Sequence, residues 1–367
     1  MKRLPSFLLI LVISFYSCDQ KNPLSYDDVE SDFYKAKDSI ESVSYRIRRV
    51  DTFGQGGVWD NEGFAHLERD RNDSIFGFNF YGKRDDMPQI SIYDQGKNFD
   101  LDMEELIYEI TPGGYYFVGS PGGQMVSTSF FQLDTAYDTA WVEPLDSGYK
   151  LVYRYPDDSL YMITERKKEL SLNAEYLPIK LRSSSLNQGE KSSTTMFFSD
   201  IKINGETVSI MEDYKEIIKG YTLLEPEEYV PSDYLGTLLP ALHLTNIQTD
   251  ETAYLKTDKI LLIDFWEVWC GWCIKSFPEV EKLYQTYKED LEVIGIATES
   301  KDKALRLIEE KGITFKNYFQ DQDFLNKFNI RSWPTYILVD RNGIMIKEYF
   351  GFNEAIETDI KALINAQ

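Results

Sequence analysis

Two cysteines three positions apart, in Cys270-Gly-Trp-Cys273, have the types and spacing that suggest covalent chemistry. An apolar run, 261–266, precedes the motif and predicts a buried strand, while 273–288 predicts a helix. A helix N-terminus offers free amide N–H groups and a partial positive charge, which stabilise a thiolate. We therefore expect Cys270 to be the N-cap residue and the nucleophile, and Cys273 to resolve mixed disulfides one turn later.

Structural roles for this cysteine pair are less favoured. The spacing is also half of a zinc site, but zinc takes four ligands. The other cysteine, Cys18, and the two histidines, His66 and His243, lie far from the motif in sequence. A disulfide across two residues closes almost no loop and would add little stability. The sequence thus favours redox chemistry, and nothing in it identifies a metal or an organic cofactor.

The segment 264–278, Asp-Phe-Trp-Glu-Val-Trp-Cys-Gly-Trp-Cys-Ile-Lys-Ser-Phe-Pro, resembles the thioredoxin active-site segment over its whole length. Asp264 lies where that family has a buried carboxylate, and Pro278 where it kinks the active-site helix. Arg331-Ser-Trp-Pro-Thr335 is similar to the family's cis-proline loop. Over about 232–367 the chain most resembles the membrane-tethered TlpA/ResA-like proteins.

This resemblance implies roles for five further residues. Asp264 would act through water as a buried base for Cys273, and Pro334 with the backbone of Trp333 would dock the client chain. Trp269 and Trp272 would complete the docking surface, with Trp269 shielding the sulfurs. Two alternatives stay open at this point: Asp264 as a strand-end carboxylate that caps an amide, and the tryptophans as ordinary aromatic packing.

One residue departs from the common pattern, because most thioredoxins have proline where this chain has Trp272. Proline has no N–H, whereas Trp272 can donate a further hydrogen bond to the Cys270 thiolate. We expect this to make the dithiol more oxidising than thioredoxin, whose potential is about −270 mV.

The first eighteen residues have the layout of a secretory signal: Lys2 and Arg3, an apolar run from Phe7 to Phe15, and then Cys18. The run is too short to span a bilayer, which takes about 20 residues. Its end resembles the lipobox of bacterial lipoproteins, which implies lipidation at Cys18. The predicted location is periplasmic or at the cell surface, lipid-anchored to a bacterial membrane. The alternative is a non-lipidated signal with an incidental cysteine.

The region after the signal predicts a helix at 26–43 and then many alternating strands, one of them at 160–165. About 24–215 resembles the LolA-like lipoprotein-carrier fold, which often forms a half-open apolar cup. The expected fold class is α+β and α/β in two domains, an N-terminal helix with a large antiparallel sheet and a thioredoxin-like central sheet flanked by helices. The predicted boundaries are signal peptide 1–18, sheet domain 19–225, linker 226–235 and thioredoxin-like domain 236–367.

Together these features predict an extracytoplasmic thiol–disulfide oxidoreductase that reduces or exchanges disulfides in client proteins, with the reductase direction favoured. Its partners would be cysteine-containing clients and a membrane redox donor or acceptor. A net charge of −22 disfavours nucleic acid as a partner. One alternative is a lipid- or ligand-binding lipoprotein with an auxiliary thioredoxin domain. Another is a thiol peroxidase, although that class typically has threonine at the position of Glu267.

Overall fold

The computed structural model describes residues 25–54, 56–206, 209–225 and 231–366. They divide into two compact units. The first contains the described residues of Met1–Pro156, Glu165–Leu186 and Glu190–Leu224, and the second those of Asp157–Thr164, Asn187–Gly189 and Glu225–Gln367. None of the helices within these described ranges is long and apolar enough to cross a membrane. The predicted signal segment and Cys18 lie outside them.

The first unit begins with helix α1 (Tyr26–Lys37), whose N-cap Ser25 accepts a hydrogen bond from the amide of Asp28. The helix ends six residues before the predicted end at residue 43. Residues from Ser42 onward are extended instead, because they pair with a strand on each side. Ile40, which fits the helical spacing, is buried in the connecting turn.

A twelve-stranded sheet forms the body of the first unit. In chain order the strands are β1 (Ser42–Thr52), β2 (Val58–Arg69), β3 (Phe78–Arg84), β4 (Gln89–Asp94), β5 (Lys97–Asp102), β6 (Ile107–Pro112), β7 (Thr139–Pro144), β8 (Tyr149–Arg154), β9 (Ile163–Leu172), β10 (Pro178–Asn187), β11 (Glu190–Ile203) and β12 (Thr222–Leu223). Their order across the sheet is β12-β6-β5-β4-β3-β2-β1-β11-β10-β9-β8-β7. The strand predicted at 160–165 starts only at Ile163, because residues 160–162 form a turn.

The main core of this unit lies between α1 and one face of the sheet. Strand β1 alternates buried and half-buried residues, and Val43, Tyr45 and Ile47 join Phe33 of α1 in one apolar cluster. A smaller cluster includes Tyr214 of α2 (Ser209–Ile217). The large β-sheet region expected from the alternating pattern is thus present.

The first unit also has a cavity of about 750 Å³. Its lining is mostly polar or charged: Ser44, Arg46, Phe64, Asp200, Lys202, Gly205 and Glu206. Such a lining differs from the apolar cup that the carrier-fold resemblance implies.

The second unit has a seven-stranded sheet in the order β14-β13-β17-β16-β15-β18-β19. Its strands are β13 (His243–Asn246), β14 (Thr252–Tyr254), β15 (Ile260–Phe265), β16 (Leu291–Ala297), β17 (Lys316–Phe319), β18 (Thr335–Val339) and β19 (Met345–Phe350). The central strands β15, β16 and β17 are parallel, and β18 and β19 continue the sheet antiparallel.

Helices cover both faces of this sheet. They are α3 (Gly271–Tyr287), α4 (Lys301–Glu310), α5 (Gln322–Lys327) and α6 (Glu354–Asn365). One apolar cluster joins α3, α4 and α6 to one face, and a second joins α5 to the other. Leu262 and Ile263 of β15 belong to different clusters, as the two-residue period of a strand requires. The predicted central sheet flanked by helices is confirmed.

Candidate active site

The cysteine pair lies where buried strand β15 leads into α3. Cys270 is the N-cap residue of α3, and its sulfur accepts a hydrogen bond from the amide of Cys273 at 3.1 Å. This confirms the predicted N-cap position. The two cysteines form a disulfide, and both are buried. The site is therefore seen in its oxidised form, with a helix N-terminus directed at the nucleophilic sulfur.

Asp264 is fully buried within β15. Neither oxygen of its carboxyl group has a hydrogen-bond partner among the described residues. Burial raises the pKa of Asp264 well above its usual value, because the charged form has lost its contact with water. A side chain that caps a neighbouring amide would have a bonded oxygen, so the capping alternative does not describe this geometry.

Pro334 lies immediately before β18 and follows a cis peptide bond from Trp333. The cis bond implied by the resemblance is therefore present. Strand β18 pairs antiparallel with β15, so the proline loop reaches the same end of the sheet as the cysteine motif. Sheet pairing thus brings together two sequence segments about sixty residues apart.

A groove of about 470 Å³ lies beside the cysteine motif, between the start of α3 and the proline loop. Its lining residues are Trp272, Lys275, Ser276, Glu279, Ser332, Trp333, Pro334, Phe350, Gly351 and Phe352. Trp272 is 68% exposed, and the ammonium group of Lys275 lies 4.7 Å from its ring centroid. Three of the four predicted docking residues line this groove. Phe350 and Phe352 could not be assigned to the site from sequence, since both come from near the C-terminal end of the second unit.

Trp269, the fourth predicted docking residue, is 56% exposed and contacts Trp333 edge to face, with ring centroids 5.4 Å apart. Its indole N–H donates to a carboxylate oxygen of Glu299 at 3.0 Å. Glu267 in turn accepts hydrogen bonds from the backbone amide and hydroxyl of Thr298 and from the amide of Glu299. Glu267 therefore positions Trp269 through the 298–299 turn, a role that sequence spacing could not indicate.

Replacement of Glu267 by glutamine is expected to destabilise the second unit by roughly 1–3 kcal/mol. The side chain is buried, and an amide would direct its NH₂ group at one of the backbone N–H donors, leaving buried donors unsatisfied. Urea unfolding of the two proteins measures the difference. The matched control is Glu299→Gln, because its amide oxygen can still accept the hydrogen bond from the Trp269 indole N–H. Its free energy of unfolding should stay within about 0.5 kcal/mol of the wild-type value. Equal unfolding free energies for all three proteins would contradict this role.

The short segment 157–164 of the second unit also contacts the motif. The ring of Tyr161 packs beside Gly271, where a Cβ atom would come within 3.2 Å of a ring carbon. The ammonium group of Lys311 donates to the carbonyl of Leu160 at 2.5 Å and so anchors this segment. The start of α3 is thus covered on the Tyr161 side, a contact between residues more than a hundred positions apart that periodicity cannot reveal.

Comparisons with known proteins agree with this geometry. Residues 234–364 match the family model described as Redoxin. Thiol-disulfide oxidoreductase ResA of Geobacillus kaustophilus is 30% identical over 113 residues, which cover 30% of this chain and 65% of that protein. Thioredoxin-like protein YneN of Bacillus subtilis is 28% identical over 91 residues, covering 24% of this chain and 54% of that protein. The chain thus spans between half and two thirds of the length of these curated relatives.

Among solved structures, the thioredoxin domain of a thiol-disulfide oxidoreductase of Bacteroides vulgatus covers 37% of this chain and 99% of its own length. It is 23% identical, with a TM-score of 0.33. The Redoxin match, residues 234–364, contains the dithiol. That region is similar to thioredoxin-superfamily thiol-disulfide oxidoreductases.

Proposed function

We propose that this protein is an extracytoplasmic thiol–disulfide oxidoreductase that reduces or exchanges disulfides of client proteins through Cys270 and Cys273. The observation that supports it most is the position of Cys270. It is the N-cap of α3, with Cys273 bonded to it one turn later, beside a groove closed by the cis-proline loop. The printed names of the relatives, thiol-disulfide oxidoreductase, agree with this chemistry.

In the reducing direction, the Cys270 thiolate attacks one sulfur of a client disulfide. A mixed disulfide forms, and the first client sulfur leaves as a thiolate that takes a proton from water. Cys273 then gives its proton to the Asp264 carboxylate, and its sulfur attacks Cys270. The second client sulfur leaves and is protonated. The protein is left with the Cys270–Cys273 disulfide, the form that the structure has.

The groove supplies the docking surface in this proposal. An extended client segment would lie against Pro334 and the backbone of Trp333, in the manner of an added strand. Trp272, largely exposed, would cover the apolar side chain next to the client cysteine. Apolar rings dominate the lining, so clients with an aromatic or aliphatic residue beside the cysteine should bind best.

The location and partners belong to the same proposal. The signal-like start of the sequence, with lipid on Cys18, would hold the protein at the outer side of a bacterial membrane. A reductase in that position needs electrons from a membrane donor, since its own dithiol is oxidised in each cycle. The sheet domain, 19–225, would select the client, the linker 226–235 would join it to the catalytic domain 236–367, and reduction is the favoured direction.

Redox titration of the full chain in glutathione buffers tests the proposal. The two cysteines should titrate as one two-electron couple with a potential above about −270 mV. The reason is the amide of Trp272, which can stabilise the reduced form by a hydrogen bond to the Cys270 thiolate. The control is Trp272→Pro, a residue tolerated in the first helical turn, which should lower the potential by about 20 mV, equivalent to a hydrogen bond of roughly 1 kcal/mol.

Three results would contradict these expectations. A potential at or below about −270 mV would remove the proposed effect of Trp272. A dithiol that neither titrates nor exchanges with a peptide disulfide would contradict the function itself. A potential near −120 mV, where strong oxidants lie, would reverse the favoured direction.

A further inference from the structure

Two buried hydroxyl groups lie next to the groove and have no role in the cycle described above. The hydroxyls of Ser276 and Tyr336 are 2.8 Å apart. Ser276 donates its proton to the carbonyl of Cys273 at 2.9 Å, so Tyr336 must be the donor in the bond between the two hydroxyls. Ser276 also lines the groove. A hydrogen-bonded path therefore runs from Tyr336 to the surface on which the client would lie.

Asp264 lies near the inner end of this path, with no direct hydrogen bond to it. Tyr336 of β18 lies directly opposite Asp264 of β15 in the sheet register. Side chains of directly opposite residues are on the same face, with Cβ atoms about 4.5–5.5 Å apart. The neighbouring Leu262 and Leu338 on these strands belong to the cluster that packs against α3, which places Asp264 and Tyr336 on that face as well.

Among the described residues, no group forms a hydrogen bond with either oxygen of the Asp264 carboxyl group. On the α3 side the titratable residue is Cys273, and on β18 it is Tyr336. The residue opposite Asp264 on β16 is Gly295, and α4 and α6 contribute apolar residues to this face. Burial, with no charged neighbour, accounts for the raised pKa of Asp264. The pKa of Tyr336 is raised well above its usual value, first by burial and then by the Asp264 charge, so its hydroxyl keeps its proton.

We propose that Tyr336 and Ser276 form a proton path that carries a proton from the Asp264 carboxyl group to the groove. This inference rests on the proposed function and assigns both hydroxyls as positioning residues for its second step. Asp264 passes the proton received from Cys273 through an intervening water to the Tyr336 oxygen, while Tyr336 gives its own to Ser276. Ser276, after rotation of its hydroxyl away from the Cys273 carbonyl, gives a proton to the groove.

The leaving client thiolate then takes up this proton. The net reaction of this step is client–S–S–Cys270 plus the Cys273 thiol giving client–SH plus the Cys270–Cys273 disulfide. One S–S bond breaks, one forms, and the proton lost by Cys273 is the proton gained by the client. No outside oxidant or reductant is required, and Asp264 and both hydroxyls return to their starting protonation states.

The test separates attack from resolution in the full-length chain. The reduced protein is mixed with the symmetrical disulfide of a short cysteine peptide, quenched with acid at intervals, and analysed by mass spectrometry. Attack is followed as formation of the mixed disulfide and resolution as its decay, from acidic to alkaline pH and in H₂O and D₂O. The variants are Tyr336→Phe, Ser276→Ala, Asp264→Asn, and Tyr336→Phe combined with Asp264→Asn. Tyr349→Phe is the control, since its hydroxyl is also buried against this cluster but bonds to Asp359.

We expect Tyr336→Phe and Ser276→Ala to slow resolution about tenfold, with a changed pH profile and solvent isotope effect. Attack by Cys270 should keep its wild-type rate, and Tyr349→Phe should match wild type in both steps. In the Asp264→Asn background, Tyr336→Phe should have no further effect, because the path then has no proton to move.

Three results would overturn the proton path. One is unchanged resolution in Tyr336→Phe, and another is equal slowing of attack and resolution, as loss of packing would cause. The third is a full further tenfold loss in the Asp264→Asn background. Failure of the wild-type protein to form any mixed disulfide would contradict the proposed function instead, so the two failures are distinguishable.

Discussion

Replacement of Asp264 by asparagine is expected to slow resolution of the mixed disulfide by about 100-fold, the lower range for loss of a positioned acid–base group. The carboxyl group is fully buried on the face that packs against α3, where Cys273 must lose its proton. An amide cannot accept that proton. Acid-quench measurements on the reduced chain with a peptide disulfide give the rate directly. Attack by Cys270 should change little, because a helix N-terminus and not Asp264 stabilises its thiolate.

The same replacement has a second expected effect, on the pH dependence of stability. Burial raises the pKa of Asp264 well above its usual value, so the folded chain keeps a proton that the unfolded chain loses near pH 4. The stabilisation from this group is therefore fully present below about pH 4 and is lost as the pH rises through the folded-state pKa. Asp264→Asn has no such group and should lose this part of the pH dependence.

At pH 8 we expect Asp264→Asn to gain stability relative to wild type, because burial makes the carboxyl group costly to ionise whereas the amide stays neutral. Near pH 4 the two proteins should differ much less. Urea unfolding at both pH values measures this difference. Asp258→Asn is the control, because Asp258 is an exposed carboxylate just before the same strand and should behave as wild type. Equal stability of wild type and Asp264→Asn at both values would show that the carboxyl group is not buried in its charged form.

The second unit was largely predictable because local signals and tertiary packing agree there. The run 261–266 is apolar throughout, as a strand covered on both faces requires, and β15 occupies Ile260–Phe265. Helix α6 occupies Glu354–Asn365, and its N-cap Asn353 is a residue type that commonly starts helices. The cysteines themselves are informative because so few chemistries use two cysteines at this spacing without other metal ligands.

What the sequence did not reveal depends on contacts between distant segments. In the sequence pattern, Tyr336 is one more apolar residue of a strand. Only the register with β15 places it opposite Asp264. Phe350 lines the groove because β19 pairs with β18, a fact that no local pattern contains. Helix α1 was predicted too long for a related reason. Ile40 fits the helical period, but pairing of β1 on both sides requires extended backbone from Ser42.

Replacement of Cys273 by serine should block resolution of the mixed disulfide and give direct evidence of the client step. Serine cannot attack the mixed disulfide, so resolution must wait for an external thiol. An intramolecular group acts at effective concentrations of about 10⁵ M or more, which no added thiol approaches, so resolution should slow by a factor on the order of 10⁵ or more. Cys270 keeps its place at the start of α3, where the amide of residue 273 still bonds to its sulfur.

Clients should therefore accumulate as covalent complexes with the Cys273→Ser protein. The complexes are measured by mass spectrometry after incubation of the reduced variant with disulfide-containing proteins, and dithiothreitol should release them. Cys270→Ser is the matched control, which removes the nucleophile and should give no complex above background. Complexes of equal yield with both variants would mean that Cys273 attacks clients itself, which its complete burial beneath the first turn of α3 argues against. The client sequences next to the trapped cysteine would then test whether Trp272, Phe350 and Phe352 select apolar residues.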